Sequence, residues 1–429
     1  MLTSSAQVWW AWAGGMVPAH SPVFKESLVT TIVDVRTRVF SCETGAAGAE
    51  HANPLRAWDG PIAQEAAFRF QEWLIVEVEL ADGTVGIGNC ALTPRLAASI
   101  VTDHLAPIVI GEEVTSRESM AQRMMRSTVA FGRGGVGHAA ISAVDIAIWD
   151  ALGKTWNAPV YDLLGGLKHP AVPVYASQLY PTDDLDALSA EAAAYRDQGF
   201  SMVKQRLLWG PIEGRLGMQR NVELVKTVRE AIGANVDLAV DVYMGWNLDY
   251  ALRMVRLLEP YDLRWLEEPL LPNDLGGYRT LRSVSTIPIA AGEHEATLGG
   301  FYELITSGCV DIVQPDVNRV GGLSVAQKIC SIAEGAGIPV VPHAGQVHNY
   351  HLVASQAASP IAEYFPVNTT PLVGNEMPHL LFAGEPLAAD GVIRLSDAPG
   401  FGVTVDPQSP VREITLEGAE IVGNRQVAP

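Results

Sequence analysis

The sequence has few of the features that mark secreted, membrane-spanning or disulfide-rich proteins. Among 429 residues there are only four cysteines, and no two of them form a C-x-x-C pair. We therefore expect free and mostly buried thiols, as in a protein of the reducing cytoplasm. No run of 18 or more apolar residues occurs, so no segment is expected to span a membrane.

Basic side chains are also scarce. The chain has 29 lysines and arginines against 48 aspartates and glutamates, which gives a formal net charge of −19. A nucleic-acid-binding protein needs a basic surface, and no cluster of Lys or Arg in this sequence could form one, so nucleic acid is not an expected partner. The acidic excess favours solubility and supplies carboxylates that can bind a metal, but it does not show that the substrate is a cation.

Residues 1–27 are interpreted as an N-terminal extension. They contain the run VWWAWAGGMV, at positions 8–17. A secretory signal carries Lys or Arg ahead of its apolar stretch, whereas the first basic side chain here is Lys25. The run is therefore either a mature extension or the product of a mistaken start site. Packing of its tryptophans beside a functional site is a less favoured alternative.

Residues 28–165 are predicted to form an α+β unit. Residues 28–40 and 73–80 alternate and are rich in β-branched side chains, and an Asp82-Gly83 turn leads into a further strand, which indicates an antiparallel sheet. Residues 94–126 and 138–156 have the apolar periodicity of helices. Strands followed by helices favour an α+β domain.

From about residue 171, short apolar strands alternate with longer helical stretches. Eight such units indicate a parallel barrel with helices outside, because strands buried on both faces are apolar almost throughout. An open doubly wound sheet is disfavoured, since no G-x-G-x-x-G follows a first strand. The glycine-rich segment GRGGVG (132–137) has no strand before it and is interpreted as a mobile loop. The predicted barrel strands are residues 172–177, 201–205, 236–242, 262–268, 287–293, 310–316, 338–343 and 361–365.

Acidic residues end three neighbouring strands of this predicted barrel. Asp241, Glu267 and Glu293 follow one another at intervals of 26 residues, the length of one strand–helix unit. Active sites of such barrels lie at the carboxyl ends of the strands, so the three carboxylates are expected to meet there. Titratable residues of the next three strands are Asp316, His343 and Glu363.

Three converging carboxylates with no histidine or cysteine among them suit a hard cation such as Mg²⁺, which prefers oxygen ligands. Any one of these acids could instead cap the helix that follows its strand. We disfavour helix capping as the role of all three acids, because they recur at equal spacing. Carboxylates on one rim repel one another, and a bound cation is the simplest remedy.

An ordered series of motifs resembles the mandelate racemase branch of the enolase superfamily. The helix ISAVDIAIWDALGK (141–154), followed by PVYDLLGG (159–166), is similar to that family's junction between cap and barrel. Other segments, around 209–211, 297–298 and 399–403, are most similar to acid-sugar dehydratases of the rhamnonate dehydratase type. The series itself comprises Lys204-Gln205-Arg206, Asp241, Glu267-Glu268-Pro269, Gly292-Glu293-His294, Gln314 to Gly322 and Pro342-His343.

The resemblance covers nearly the whole chain from residue 28 and implies an α/β architecture. It implies a modified (β/α)7β barrel of the TIM type over residues 166–385, an α+β capping domain over 28–165 and a C-terminal segment, 386–429, that returns to the cap. It also implies one Mg²⁺ per subunit, held by Asp241, Glu267 and Glu293. The expected partner is a small-molecule sugar acid, and the expected assembly is a homo-oligomer, either a dimer or an octamer.

The same resemblance assigns catalytic roles. His343 is the expected general base, with Asp316 as the carboxylate that fixes its tautomer and raises its basicity. Lys204 is expected to bind the substrate carboxylate as a cation. Glu363 either contacts the substrate and assists protonation or serves as a salt-bridge partner. The competing interpretation of His343, a structural histidine in a polar loop, fits His348 and His351 better.

Substrate binding is assigned to four further residues. Arg206 stands where racemases of this family have a lysine base, and a guanidinium stays protonated, so one-sided chemistry is favoured. His294 is expected to orient a ligand or contact substrate. His51 and Arg56 lie in an irregular segment of the cap and are either substrate contacts or ordinary surface residues. Glu268 follows the metal ligand Glu267 and is expected to point away from it, because side chains alternate along a strand.

These residues and the resemblance together predict a carbon–oxygen lyase, specifically a Mg²⁺-dependent dehydratase of an aldonate such as rhamnonate. His343 would remove the C2 proton and return it to the departing 3-hydroxyl, which gives a 2-keto-3-deoxy acid. Two alternatives are a racemase or epimerase of a hydroxy acid and a catalytically silent structural or binding homologue. The complete ligand set disfavours the silent homologue.

Overall fold

The computed structural model describes residues 30–42, 72–367 and 375–414, and the backbone of residues 56–57 and 60–61. The predictions for residues 1–27 and for the side chains of His51 and Arg56 fall outside the described residues.

An antiparallel sheet with helices on it forms the first part of the fold. β4 pairs antiparallel with β1 on one side and with β5 on the other, as the alternating sequence predicts. In chain order the elements are β1 (Ile32–Ser41), β2 (Arg56–Ala57), β3 (Gly60–Pro61), β4 (Glu72–Leu80), β5 (Val85–Cys90), α1 (Pro94–Ile100), a π-helical turn (Val101–Leu105), α2 (Ala106–Val109), α3 (Arg117–Thr128), α4 (Val136–Thr155) and α5 (Val160–Leu163).

Helix α4 packs directly on this sheet. Within the described residues it is the one helix long and apolar enough to cross a membrane, yet 94% of its most apolar window is buried inside the protein. Two glycines of β5 permit the contact, because a Cβ at Gly86 would lie 2.1 Å from the Ala147 carbonyl oxygen and one at Gly88 would lie 2.0 Å from that of Ala143. Its apolar character therefore belongs to a core helix, held at a distance that only glycine allows.

The second part of the fold is a barrel of parallel strands. They are β6 (Val172–Ser177), β7 (Met202–Arg206), β8 (Asp237–Asp241), β9 (Leu263–Glu267), β10 (Ile289–Ala291), β11 (Ile312–Val313) and β12 (Ala362–Tyr364). Neighbours pair in parallel from β6 to β11, and β12 pairs with β6. The intervening helices are α6 (Leu185–Asp197), α7 (Gly214–Ile232), α8 (Leu248–Leu258), α9 (Leu275–Val284), α10 (Leu298–Thr306), α11 (Leu323–Ala336) and α12 (Val347–Ser355), with 3-10 turns at Pro211–Glu213 and Glu259–Tyr261.

The predicted seventh strand, residues 338–343, is the irregular member of the barrel. It contributes only isolated bridges, from Val340 to Val313 and from His343 to Asp316. Pro339 and Pro342 explain this, because proline has no N–H to donate to a ladder. The predicted fold class, a modified (β/α)7β barrel with an α+β cap, is confirmed.

Side chains that point into the barrel form layers. An apolar layer lies at the bottom. Three of its strands carry Lys204, Asp241 and Glu267 two residues further along. Because side chains alternate along a strand, these three point to the same inward face. The apolar layer thus closes the barrel below a charged layer at the carboxyl ends of the strands. The apolar layer consists of Tyr175, Met202, Ala239, Trp265, Ala290, Ile312 and Val341.

After β12 the chain returns to the cap. Its last elements are α13 (Met377–Leu381), β13 (Phe382–Ala383), β14 (Val392–Ile393), β15 (Thr404–Val405) and β16 (Arg412–Ile414), and β16 pairs with β1. The fully buried Asp150 of α4 accepts hydrogen bonds from Ile87 N of β5 and from Phe401 N of the returning segment, each at 2.9 Å. One carboxylate therefore joins the cap sheet to the C-terminal segment. The predicted division at residues 27, 165 and 385 stays a prediction.

A buried acid in the returning segment leads to a test of stability. Burial raises the pKa of Glu385 to about 8, although a backbone contact with Val347 acts in the opposite direction. The unfolded chain releases this proton at an ordinary pKa of about 4.3, so the folded state loses stability as the pH rises from there to about 8.

We expect Glu385→Gln to be more stable than the unmodified protein at pH 8, by on the order of 3 kcal/mol, and close to it at pH 5. Denaturant unfolding at the two pH values measures the difference. An equal effect of the substitution at both pH values would contradict the prediction.

Candidate active site

Neighbouring strands bring charged side chains into register at the carboxyl end of the barrel. In the parallel pairs, Arg206 lies opposite Asp241, and Asp241 lies opposite Glu267. Burial raises the pKa of Glu267 to about 7 against the opposing charge of Lys204, and the carboxylates of Asp241 and Glu293 add to the rise. The three acids predicted as metal ligands are therefore close enough to repel one another.

Lys204 is the cation at the centre of this group. Its Nζ lies 2.5 Å from Glu267 Oε1, 2.9 Å from Glu363 Oε1 and 3.9 Å from Asp241 Oδ2, and the side chain is 1% exposed. Burial opposes its charge, but the carboxylates around it, Glu267 first, hold the pKa of Lys204 well above its ordinary value. The ammonium therefore stays charged and is already engaged by acids of the site.

Glu267 is fixed by two further donors, Trp265 and Gln314, for which the sequence suggested no contact with this carboxylate. Trp265 Nε1 donates to Glu267 Oε2 at 2.8 Å, and Gln314 Nε2 donates to the same oxygen at 2.7 Å. Trp265 precedes Glu267 by two residues on the same strand, so the two side chains share the inward face. That spacing of two is the signal that could have identified Trp265.

His343 and Asp316 form a hydrogen-bonded pair on adjacent strand ends. His343 Nδ1 lies 2.8 Å from Asp316 Oδ2, and Asp316 also contacts Arg319 Nε at 2.9 Å and accepts from Asn318 N at 2.7 Å. An ionised carboxylate only accepts, so His343 donates through Nδ1 and keeps Nε2 free. Nε2 lies 3.4 Å from Glu293 Oε2.

Electrostatics favour the protonated form of this imidazole. Burial opposes it, but Glu293 and the hydrogen bond to Asp316 outweigh burial and raise the pKa of His343 to about 9. Conversely, burial would raise the pKa of Glu293, and His343, His294 and Arg319 instead hold it well below its ordinary value. A ligand that neutralised Glu293 would return His343 toward the neutral form, which can accept a proton.

Glu363 links the central cation to the loop that carries the imidazole. Its Oε1 contacts Lys204, and its Oε2 accepts a hydrogen bond of 2.8 Å from Ala344 N. Ala344 has φ of 72°, a left-handed conformation that costs a non-glycine residue free energy unless its surroundings hold it. The ion pair with Lys204 agrees with the predicted alternative in which Glu363 is a salt-bridge partner. The hydrogen bond from Ala344 N is a contact that the sequence did not suggest.

Glu268 does not follow the expected alternation. Strand β9 ends at Glu267, and Glu268 has φ of 39°, so it is outside the regular pleat. Its carboxylate lies 2.7 Å from His294 Nδ1, and it is one of three residues whose ligand atoms lie within 4.8 Å of one another, with Glu293 and His294. Because the strand has already ended, alternation does not set the direction of this side chain, which lies beside Glu293 and His294.

Arg206 is held on one side of the site as a fixed cation. It donates to Ser177 Oγ at 3.2 Å, lies 3.8 Å from Asp241 Oδ2, and stacks on the ring of Tyr180 at 4.7 Å. Asn375 Nδ2 donates to Tyr180 Oη at 2.9 Å. Tyr180 and Asn375 lie in loops after the first and eighth barrel strands, and no sequence pattern identifies either of them as a residue of the site.

The donor set fits a divalent cation. Six buried carboxylates surround the site, against the three permanent cations Lys204, Arg206 and Arg319, so negative charge is in excess when the imidazoles are neutral. Oxygen donors of this kind are the ligands that Mg²⁺ prefers. The six carboxylates belong to Asp241, Glu267, Glu268, Glu293, Asp316 and Glu363.

Family models match both parts of the chain. The model described as the N-terminal domain of mandelate racemase / muconate lactonizing enzyme matches residues 59–165, and the model described as enolase C-terminal domain-like matches residues 187–409.

Individual proteins match over most of the chain. An L-rhamnonate dehydratase of Saccharopolyspora erythraea is 39% identical over 343 residues, which are 79% of this chain and 84% of that protein. The structure of a rhamnonate dehydratase from Gibberella zeae complexed with Mg has 29% identity and a TM-score of 0.77, covering 89% of this chain and 95% of the other. A 3,6-anhydro-D-galactonate cycloisomerase from Zobellia galactanivorans has 30% identity and a TM-score of 0.74, covering 88% and 97%.

The coupling between Glu293 and His343 can be tested without substrate. We expect His343 to titrate near pH 9 without divalent cations and to move toward its ordinary pKa of about 6.5 when Mg²⁺ is added. The reason is that a cation at Glu293 removes a charge that favours the imidazolium. Nuclear magnetic resonance of ¹⁵N-labelled histidines measures this, with the His343 signals identified from His343→Asn. The exposed His104 serves as the control, and no response of His343 to Mg²⁺ would contradict the prediction.

Proposed function

The chain belongs to the mandelate racemase / muconate lactonizing enzyme family of the enolase superfamily, and we propose that it is a Mg²⁺-dependent acid-sugar dehydratase. The observation that carries the proposal is the His343–Asp316 pair, whose Nε2 faces Glu293 at the carboxyl end of the barrel. The names of its relatives support a sugar acid as the substrate class.

The difficulty of the reaction lies in its first step. A proton on the carbon next to a carboxylate is very weakly acidic, and its removal concentrates negative charge on the two carboxylate oxygens. Mg²⁺, when bound by Asp241, Glu267 and Glu293, supplies the positive charge that stabilises those oxygens. Lys204, already fixed by Glu267 and Glu363, adds a second positive charge from below.

His343 moves the protons. In its neutral form Nε2 takes the C2 proton, while Asp316 holds the other nitrogen and stabilises the imidazolium that forms. The same Nε2–H then protonates the 3-hydroxyl as the C3–O bond breaks, and water leaves. The resulting enol tautomerises to a 2-keto-3-deoxy acid, so hydrogen and oxygen are lost only as one water molecule.

Arg206 separates this proposal from the racemase alternative. Inversion at C2 needs a second base on the opposite face. Arg206 stands where racemases of this family have that base, and it is a guanidinium whose pKa is raised further by Tyr180 and Asp241 despite burial. Its stacking on Tyr180 and its bond to Ser177 hold it as a cation that can contact a substrate oxygen.

The finer assignments extend the proposal. We take rhamnonate or a related aldonate as the substrate, with His294, Arg206 and the cap residues His51 and Arg56 as its contacts. The protein is proposed to act in the cytoplasm as a homo-oligomer. The silent-homologue alternative is disfavoured because the carboxylates, the imidazole pair and their supporting hydrogen bonds are all present.

Turnover is the direct test. A panel of five- and six-carbon aldonates that includes L-rhamnonate, assayed with Mg²⁺ for 2-keto-3-deoxy acids, is expected to give product that chelation with EDTA abolishes. We expect His343→Asn to lower kcat by about 10³-fold, because the base and the acid are the same group. The matched control is His104→Asn, at an exposed histidine of the cap. Full activity of His343→Asn would refute the mechanism.

A second test addresses one-sided chemistry. Arg206→Lys places an amine that can lose its proton on the face opposite His343, so we expect it to gain exchange of the C2 proton in ²H₂O without loss of water. Arg206→Met, which has no base, should show no such gain. Exchange into recovered substrate, followed by nuclear magnetic resonance, measures the effect, and equal exchange in both variants would contradict the role given to Arg206.

A further inference from the structure

Two imidazole–carboxylate pairs flank Glu293, and the proposed reaction uses only one of them. His343, paired with Asp316, faces Glu293 Oε2 at 3.4 Å. His294, paired with Glu268 at 2.7 Å, faces Glu293 Oε1 at 3.6 Å. The second pair has the same kind of hydrogen bond, but nothing in the proton transfers above requires it.

The backbone of Glu268 is shaped to make this contact. Its N–H donates to Ala290 O at 3.0 Å, and its carbonyl accepts from Met244 N at 2.6 Å, so the residue is held between the neighbouring strand ends. These bonds retain a φ of 39°, which a glutamate does not adopt without support. The consequence is a buried carboxylate beside, but turned differently from, that of Glu267.

Exposure differs across the pair. The Glu268 side chain is 2% exposed, whereas that of His294 is 23% exposed. The Tyr243 ring makes a T-shaped contact with the imidazole, with centroids 5.3 Å apart. The imidazole is thus supported from below by a carboxylate and from the side by an aromatic ring. Because Nδ1 is used by Glu268, Nε2 is the nitrogen left for a ligand.

We propose that Glu268 is a positioning residue, which fixes His294 so that Nε2 binds a hydroxyl of the sugar-acid substrate. This inference rests on the proposed function for the identity of the ligand. In this role Glu268 is not the Mg²⁺ ligand of the fourth strand, which is Glu267. The competing occupant of the site is a second divalent ion held by Glu268, Glu293 and His294.

The hydrogen bond itself favours the positioning role. His294 Nδ1, the nitrogen near the carboxylates, already pairs with Glu268, and Mg²⁺ takes oxygen rather than nitrogen ligands. Carboxylates that hold the remote nitrogen of an imidazole fix its tautomer and ring orientation, as Asp316 does for His343. A polyhydroxylated substrate offers several hydroxyls to such a nitrogen.

Metal binding distinguishes the two neighbouring glutamates. Calorimetric titration with MgCl₂ is expected to give one site per chain in the unmodified protein, with the dissociation constant changed less than threefold in Glu268→Gln and raised at least tenfold in Glu267→Gln. The two variants are matched, because each replaces a buried carboxylate by its amide. Equal loss in both, or a second site removed by Glu268→Gln, would overturn the proposal.

Nuclear magnetic resonance tests the positioning directly and needs no turnover. In ¹⁵N-histidine-labelled protein, His294 is expected to carry its proton on Nδ1, and Glu268→Ala should shift the imidazole toward the form protonated on Nε2 alone. His294→Asn identifies the signals. An unchanged His294 spectrum in Glu268→Ala would overturn the proposal whether or not the protein is a dehydratase.

Kinetics then locate the effect in substrate binding. We expect Glu268→Ala and His294→Asn each to raise the KM for L-rhamnonate, or for the best aldonate of the panel, about tenfold with a smaller change in kcat. The double variant should be no worse than His294→Asn, because one residue acts through the other. Glu268→Gln, whose amide oxygen can still accept from Nδ1, should recover part of the loss. Additive effects would contradict the proposal, whereas absence of any turnover in the unmodified protein refutes the proposed function instead.

Discussion

The ion pairs of Lys204 are the interactions on which the site depends. Four acids at the ends of the strands, Asp241, Glu267, Glu293 and Glu363, are buried together, and Glu267 and Glu363 rely on Lys204 for their direct ion pairs. A single ammonium that contacts two of them directly and approaches a third makes that arrangement possible. Removing one partner from such a buried network leaves an unpaired charge, which costs far more free energy than an exposed pair contributes.

Beyond this cation, the site is organised by neighbours that fix orientation rather than by additional reactive groups. Trp265 and Gln314 set the rotation of the Glu267 carboxylate, and Asp316 sets the ring of His343. Glu363 spans the distance between the central ammonium and the backbone beside the imidazole. The charged layer and the base are therefore coupled through covalent and hydrogen-bonded contacts, which is how a rigid barrel holds reacting groups in place.

The sequence predicted the barrel and the positions of its principal acids, because both follow from simple periodicities. Inward residues recur every second position, and strand ends recur once per strand–helix unit, so Asp241, Glu267 and Glu293 could be placed on one rim before any coordinates were known. The conformation of Glu268 could not be predicted, since its positive φ depends on bonds from two neighbouring strands.

The same limit applied to residues that contribute through distant loops. Tyr180 and Asn375 meet across 195 positions of sequence, and no local pattern marks either of them. The proline-interrupted seventh strand was predicted by its apolar composition, although its backbone makes only two bridges. Periodicity thus located the reacting groups, and long-range packing decided how their supports are arranged.

The carboxylate of Asp150 has a consequence for how the chain can be divided. It bonds the cap sheet through Ile87 and the segment after the barrel through Phe401, and both bonds are inaccessible to water. Asp150 lies in α4 of the cap, so a cap expressed or grafted without the returning segment would keep the bond from Ile87 and the ion pair with Lys154 but would lose the bond from Phe401. Melting of the two parts should consequently be one cooperative event, and chimaeras will fold only where β5, α4 and the segment around Phe401 are transferred together.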